Sequence, residues 1–198
     1  MVEGAGATPA LRQPGVHAQT TMPRDRSGMI RYVALLRAVN VGGTGKLPMA
    51  GLRALCEASG FTRVETYIAS GNVVFESRAA ASKVKSELEA RLLAYAGKPV
   101  GVVVRTALEM QAVLKANPFP DGEPNHTYAI FLSHRPPRDA LDDVTGQCDE
   151  MVILGDREIF VRYPSGMGRS KLKIPAAKTG TARNMNTVAK LAEMAAKP

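Results

Sequence analysis

The loop Asn40-Val41-Gly42-Gly43-Thr44-Gly45-Lys46 follows an apolar run and precedes a helical pattern, which is the order in which phosphate cradles are built. A P-loop, GxxxxGK[ST], wraps phosphates in backbone amides and holds magnesium through its final hydroxyl. Here Asn40 stands where the first Gly belongs and Leu47 follows Lys46, so that chemistry is not encoded. The dinucleotide pattern GxGxxG fails too, because Pro48 takes its last Gly position. What survives is generic. Amides ahead of a helix N-terminus favour anions, although Pro48 removes one donor. On its own residues the loop reads first as a strand-to-helix turn.

The second candidate is basic. Between Pro164 and Thr181 lie 18 residues with little regular pattern, carrying Arg169, Lys171, Lys173 and Lys178. Loops of that length in folded domains are commonly functional or disordered. Arg183, Asn184 and Asn186 then fall near the start of the final helical pattern, where exposed amides and the helix dipole favour negative charge. Arg adds a bidentate fork and Asn both donors and an acceptor. The plainer alternative is that Thr181 or Asn184 caps the helix while Arg183 is solvated. Ser70-Gly71-Asn72 is likewise turn chemistry before it is a site.

Other chemistries find no support. His17, His126 and His134 form no HxxH or His/Cys grouping, so neither a metal site nor a cofactor is expected. No GxSxG-type nucleophile is present, and no catalytic residue is assigned. Asp139, Asp142, Asp143, Asp149 and Glu150 read as a solvated helix and loop. The strand GNVVFES has the outline of an RNA-reading strand, but that role needs several exposed aromatics and only Phe75 is on offer.

The elements that must position these residues follow from periodicity. IRYVALLR (30–37) is a buried strand, and 48–60 has apolar Met49, Leu52, Leu55 and Cys56 at helical spacing. Two strands, RVETYIA and NVVFE, join through Ser70-Gly71 as a hairpin. Residues 80–97 form a helix closed by Gly97, and VGVVVRT (100–106) is a further strand. Strand, helix, strand, strand, helix, strand is the split βαβ, ferredoxin-like plan. After a short helix (107–116) the plan nearly repeats. A strand spans 127–133, Pro137 opens a helix over 137–144, and MVIL and REIFVRY form a hairpin around Gly155-Asp156. An irregular stretch, 164–181, precedes a last helix over 183–197, with no evident final strand. The fold class is therefore α+β, two ferredoxin-like plaits with the second imperfect. The chain divides into a disordered tail (1–28), a first half (29–116) and a second half (117–198).

Totals narrow the function classes. The net charge of +8 is uneven: +1 over 1–28, +6 over 29–116, −5 over 117–163 and +6 over 164–198. The acidic block argues against a protein that coats nucleic acid uniformly, while the basic end suits an anionic partner. No apolar run approaches the roughly 20 residues of a membrane span. The tail lacks the apolar core of a signal peptide. Cys56 and Cys148, far apart, suggest buried thiols in a reducing cytoplasm.

The motifs YVALLRAVNVGG, KLPMAGLRAL, TYIASGNVVFES, ANPF, GRSKL and RNMNTVAKLAE, in this order, resemble the bacterial family catalogued as domain of unknown function 1697. The likeness runs from residue 30 to about 195. It implies two ferredoxin-like plaits and no established activity. It also implies a polar set carried across to Arg37, Asn40, Tyr67, Ser70, Asn72, Arg183, Asn184, Asn186 and Thr187. Three departures stand out: Ala38-Val39 replaces Gly-Ile, Met185 replaces Trp, and the segment between Lys171 and Thr181 is shortened.

Three functions compete for this set. One is a module that binds a phosphate-bearing or anionic ligand, such as a nucleotide or single-stranded nucleic acid. Another is an enzyme using Arg37 and Arg183 as anion clamps in phosphoryl or acyl chemistry, with Tyr67 or Ser70 reacting. The third is a structural, homodimeric interaction protein. All depend on Arg37 and Arg183 meeting in space.

Overall fold

Ile30–Leu36 (β1) is apolar on both sides because both sides are buried. Tyr32, Ala34 and Leu36 face one core, while Val33 and Leu35 face another. Such strands read as continuous apolar runs rather than alternating ones. The computed structural model describes residue 1, residues 28–39 and residues 47–197. The expected tail and Asn40 therefore fall, Met1 and Gly28 aside, outside the described residues.

After β1 come helix α1 (Met49–Ala58), β2 (Thr62–Tyr67), β3 (Asn72–Ser77), α2 (Ala81–Ala96), β4 (Val102–Thr106) and α3 (Ala107–Lys115). The strands form one antiparallel sheet in the order β2-β3-β1-β4. Leu52 and Cys56 of α1 and Val84, Leu88 and Leu92 of α2 cover one face of it. At roughly 1.5–3 kcal/mol per fully buried large apolar side chain, this face alone anchors both helices. The expected element order is found here without exception. Phe75, the aromatic of the would-be RNA-reading strand, is a core residue, as is Tyr32 on the neighbouring β1.

The second half has β5 (Thr127–Phe131), β6 (Met151–Leu154), β7 (Glu158–Arg162), β8 (Thr181–Asn184) and α4 (Met185–Ala196). Its sheet runs β6-β7-β5-β8, the same order as the first. Here the sequence reading needs three corrections. A fourth strand exists: β8, four residues whose inward positions are Thr181 and Arg183 rather than apolar side chains. The last helix consequently starts at Met185, not at 183. The helix expected over 137–144 is a series of turns. Its apolar residues are only Ala140, Leu141 and Val144, of which Leu141 alone packs on the sheet, with three Asp among them, so the apolar stripe is too small to hold a helix there. The outer face of this sheet (Ile130, Leu132, Ile159, Val161, Tyr163) is covered by irregular chain instead, through Leu141, Leu172, Ile174, Ala176 and Ala177.

Between the two sheets lies the shared core. Val33, Leu35, Val74 and Val103 of the first sheet meet Ala129, Phe131 and Phe160 of the second. Met110 and Val113 of α3, and Met185, Val188 and Leu191 of α4, complete it. Two polar expectations also change: Cys148 is exposed while Cys56 is buried. Glu150 is buried, its carboxylate accepting from Ser170 Oγ and the Cys148 amide, rather than solvated.

Candidate functional site

Gly71 builds the site's floor. Its φ is +78°, and a Cβ there would lie 2.3 Å from Val39 Cγ2 and 2.9 Å from Leu36 Cβ. Only Gly fits both the conformation and the contact. The hairpin turn can therefore sit on the end of β1, where the Leu36 amide donates to Gly71 O at 2.8 Å. Ser70 and Asn72, on either side of Gly71, are thereby placed beside the Leu36 carbonyl. Asn72 Nδ2 donates to Tyr67 O (3.0 Å) and Ser70 Oγ (2.9 Å), which fixes its amide orientation and turns Oδ1 outward from the turn.

Arg183 fills that space from the other half. Nε donates to Asn72 Oδ1 at 2.5 Å, and Nη2 to Leu36 O and Ser70 O, both at 2.9 Å. Nη1 donates to Thr181 Oγ1 and Ala182 O, both at 2.8 Å. Thr181 Oγ1 itself reaches Leu36 O. All five guanidinium N–H groups are thus engaged, and every acceptor is neutral. Burial pushes the Arg183 pKa down to about 10, with no carboxylate opposing it.

Arg105 provides the comparison. It pairs across the first sheet with Val33, as Arg183 pairs across the second with Ala129. Each Arg is followed by a helix cap: Thr106 accepts from the Glu109 amide at α3, and Asn184 from the Thr187 amide at α4. Each Nη1 donates to the carbonyl of the preceding residue, Val104 or Ala182. Each Nη2 reaches into the opposite half, to the end of its first strand: Leu132 O, just past β5, at 2.8 Å for Arg105, and Leu36 O, the last residue of β1, for Arg183. Each Nε points at the first residue of the opposite third strand. For Arg105 that residue is Glu158, at 3.2 Å from Nε and 2.9 Å from Nη2; for Arg183 it is Asn72. One centre is a buried ion pair; its twin, among the described residues, is a buried cation with neutral partners.

The remaining expected residues are partly assembled. Arg37 follows Leu36 directly and is exposed, its amide donating to Gly101 O. Tyr67 contributes its carbonyl to Asn72 and packs its ring against the shared core. Asn184 is the α4 cap rather than a free amide, and Asn186 is exposed on the first turn of α4. The Leu36–Arg37 peptide lies between the two arginines: Arg183 takes its carbonyl from the β3 side, while the Arg37 side chain lies against Gly101. Two non-glycine residues with left-handed backbone mark the same end, Ala38 (φ 51°) and the β-branched Ile68 (φ 49°). Both are strained conformations that cluster at functional sites. Among the described residues no group of three or more His, Cys, Asp or Glu is placed to hold a metal.

Arg105 and Glu158 escaped the sequence reading, and Thr181, expected as a possible helix cap, instead accepts from Arg183 while Asn184 caps α4. A usable signal existed: Arg-Thr before the helix at 107 and Arg-Asn before the helix at 185 are the same Arg–cap–helix unit.

A model of the family described as protein of unknown function, DUF1697, matches residues 29–160, two thirds of the chain. The chain belongs to DUF1697. The match stops short of β8, so Arg183 lies beyond it, while Leu36, Ser70, Asn72, Arg105 and Glu158 lie within. Among solved structures, this DUF1697 chain is similar to the conserved bacterial protein SP0830 of Streptococcus pneumoniae, with 25% identity and a TM-score of 0.71. The likeness covers 84% of this chain and 99% of that one. No match was found among curated proteins. No described helix of this DUF1697 member is long and apolar enough to cross a membrane.

Proposed function

We propose that the protein binds an anionic, phosphate-bearing ligand at the end of β1, beside Arg37 and Arg183. The supporting observation is the unbalanced charge of Arg183. Burying a cation is costly unless it is paired, and the equivalent Arg105 is paired with Glu158 at 2.9 Å. Asn72 holds Arg183 with matching geometry and leaves its charge uncancelled. At roughly 6–8 Å and an effective dielectric near 20, one such charge attracts an anion by about 2–3 kcal/mol. Arg183 acts through its field, since all its donors are engaged. Direct contact falls to exposed Arg37.

This arrangement supports binding over catalysis. Ser70 Oγ accepts from Asn72, and among the described residues no base is bonded to it to activate it as a nucleophile. The two unpaired cysteines support a reducing, cytoplasmic setting.

The test is a thermal-shift and calorimetric titration with inorganic phosphate and nucleoside phosphates, on wild type and Arg37→Ala. Saturable binding weakened at least tenfold in the variant, with unchanged unliganded Tm, is the expected result. No saturable binding, or equal binding by both proteins, removes the proposal.

A further inference from the structure

We infer that the ligand is a polyanion, a single-stranded nucleic acid, and that the segment from 164 to 181 is the rail on which its phosphates lie. This rests on the anion site proposed above and extends it.

The rail is built by alternation. Leu172 and Ile174 pack onto the outer face of the second sheet, while Lys171 and Lys173, which alternate with them, are exposed. Period-two alternation in extended chain places those two ammonium groups on one side, about 6.6 Å apart along the backbone. Arg169 precedes them, and Lys178, after a short 3-10 turn at Pro175–Ala177, continues the series; both are exposed. Two exposed cations alternate along the strap, and one more flanks them at each end, at the close of a 3-10 turn.

The segment is also held in shape, so the charges are presented rather than loose. Lys173 and Thr145 exchange backbone hydrogen bonds at 2.8 and 3.1 Å. Asp149 accepts from the Ser165 amide and hydroxyl, and Glu150 from Ser170 Oγ. The tethers bind the Asp149 and Glu150 carboxylates to neutral donors, Ser165, Ser170 and the Cys148 amide. Among the described residues, none of Arg169, Lys171, Lys173 or Lys178 has an ion pair. The chain then runs into Thr181, whose hydroxyl accepts from Arg183. The rail therefore leads, in sequence, into the strand that carries Arg183.

One strap of cations suits one phosphate backbone. A duplex offers two backbones and is read by elements that enter its grooves, and this strap projects none. Exposed Met167 also flanks the basic residues, and a basic, apolar edge is what an anionic membrane surface would meet; vesicles therefore belong in the test.

The full-length protein is titrated with a fluorescent single-stranded 12-mer, a 12-bp duplex, a mononucleotide and anionic phosphatidylserine vesicles at several salt concentrations. The comparison variant is Lys171→Glu/Lys173→Glu, both positions solvent-facing. Expected is 12-mer binding at least tenfold tighter than mononucleotide. Its log K should fall with log salt at a slope of about −0.7 per phosphate neutralised, near −3 for four contacts. The variant should lose at least tenfold in 12-mer affinity and flatten the slope by about 1.4, yet keep its phosphate binding. A 12-mer bound no tighter than the mononucleotide, a variant unchanged in slope, or stronger binding to duplex or vesicles overturns the inference. Phosphate binding without 12-mer binding fails the rail alone; absence of both fails the underlying site as well.

Discussion

Arg105 and Arg183 are equivalent residues that cross over: each stands one position before a helix cap on the fourth strand of its own sheet, and each is held by the opposite half. The halves are thus fastened twice by the same device. Among the described residues, Arg105 has a charged partner and Arg183 has none, and that difference yields distinct expectations for each end.

Arg105→Met should destabilise more than Arg183→Met. The first leaves Glu158, 5% exposed, as an uncompensated buried carboxylate, a loss of about 3–5 kcal/mol. The second leaves only neutral oxygens short of a donor, about 1–3 kcal/mol. Denaturant unfolding of both variants measures the order; the reverse order would mean that Arg183 carries a hidden counter-charge.

Glu158→Gln keeps size and an acceptor while removing the charge that balances Arg105. Stability should fall by about 3 kcal/mol, and Glu158→Gln/Arg105→Met should recover part of it. A double-mutant cycle with no coupling would contradict a buried pair.

Glu109 ties α3 to the second half, accepting from the Thr106 amide and from Arg157 Nη2 at 2.5 Å. Burial raises its carboxyl pKa, but those partners outweigh it and hold the group below its ordinary 4.5. A depressed acid stabilises the fold fully above 4.5 and loses that contribution as pH falls through its folded value. Glu109→Gln should therefore be less stable than wild type at pH 7 by about 1 kcal/mol. The gap should close in acid. Chemical melts between pH 7 and 3 read it, and a gap constant with pH would refute the assignment.

Ala38 and Ile68 adopt left-handed backbone, unfavourable by roughly 1–2 kcal/mol for a residue with a Cβ. Gly relieves that but loses more chain entropy. Ile68→Gly, at a half-exposed position, should raise stability by about 0.5–1 kcal/mol, and Ala38→Gly by about 0.5 kcal/mol. Equal or lower Tm values would mean that these turns are not strained.

The first plait was legible because its strands and helices bury apolar side chains at the expected periods: Val33 and Leu35 against Tyr32 and Leu36, Val84 against Leu88 and Leu92. β8 was not, because its alternation is carried by Thr181 and Arg183, and a strand that turns polar groups inward looks like a loop. The turns over 137–144 carry a Pro start and helical-looking spacing, but Leu141 alone packs on the sheet, which only the tertiary arrangement reveals. Asn72 was readable as a turn residue. Its pairing with Arg183 is a contact across 111 residues, and nothing local encodes it.

The decisive measurement concerns Asn72, the neutral residue standing where the twin centre has Glu158. Asn72→Asp should supply the missing countercharge to Arg183 and cancel the field on which anion binding depends. Isothermal titration of phosphate and nucleoside phosphates should then show at least a tenfold loss of affinity in a variant that is still folded by circular dichroism. Undiminished binding by folded Asn72→Asp protein would contradict the claim that the unpaired buried charge makes this end of the molecule an anion site.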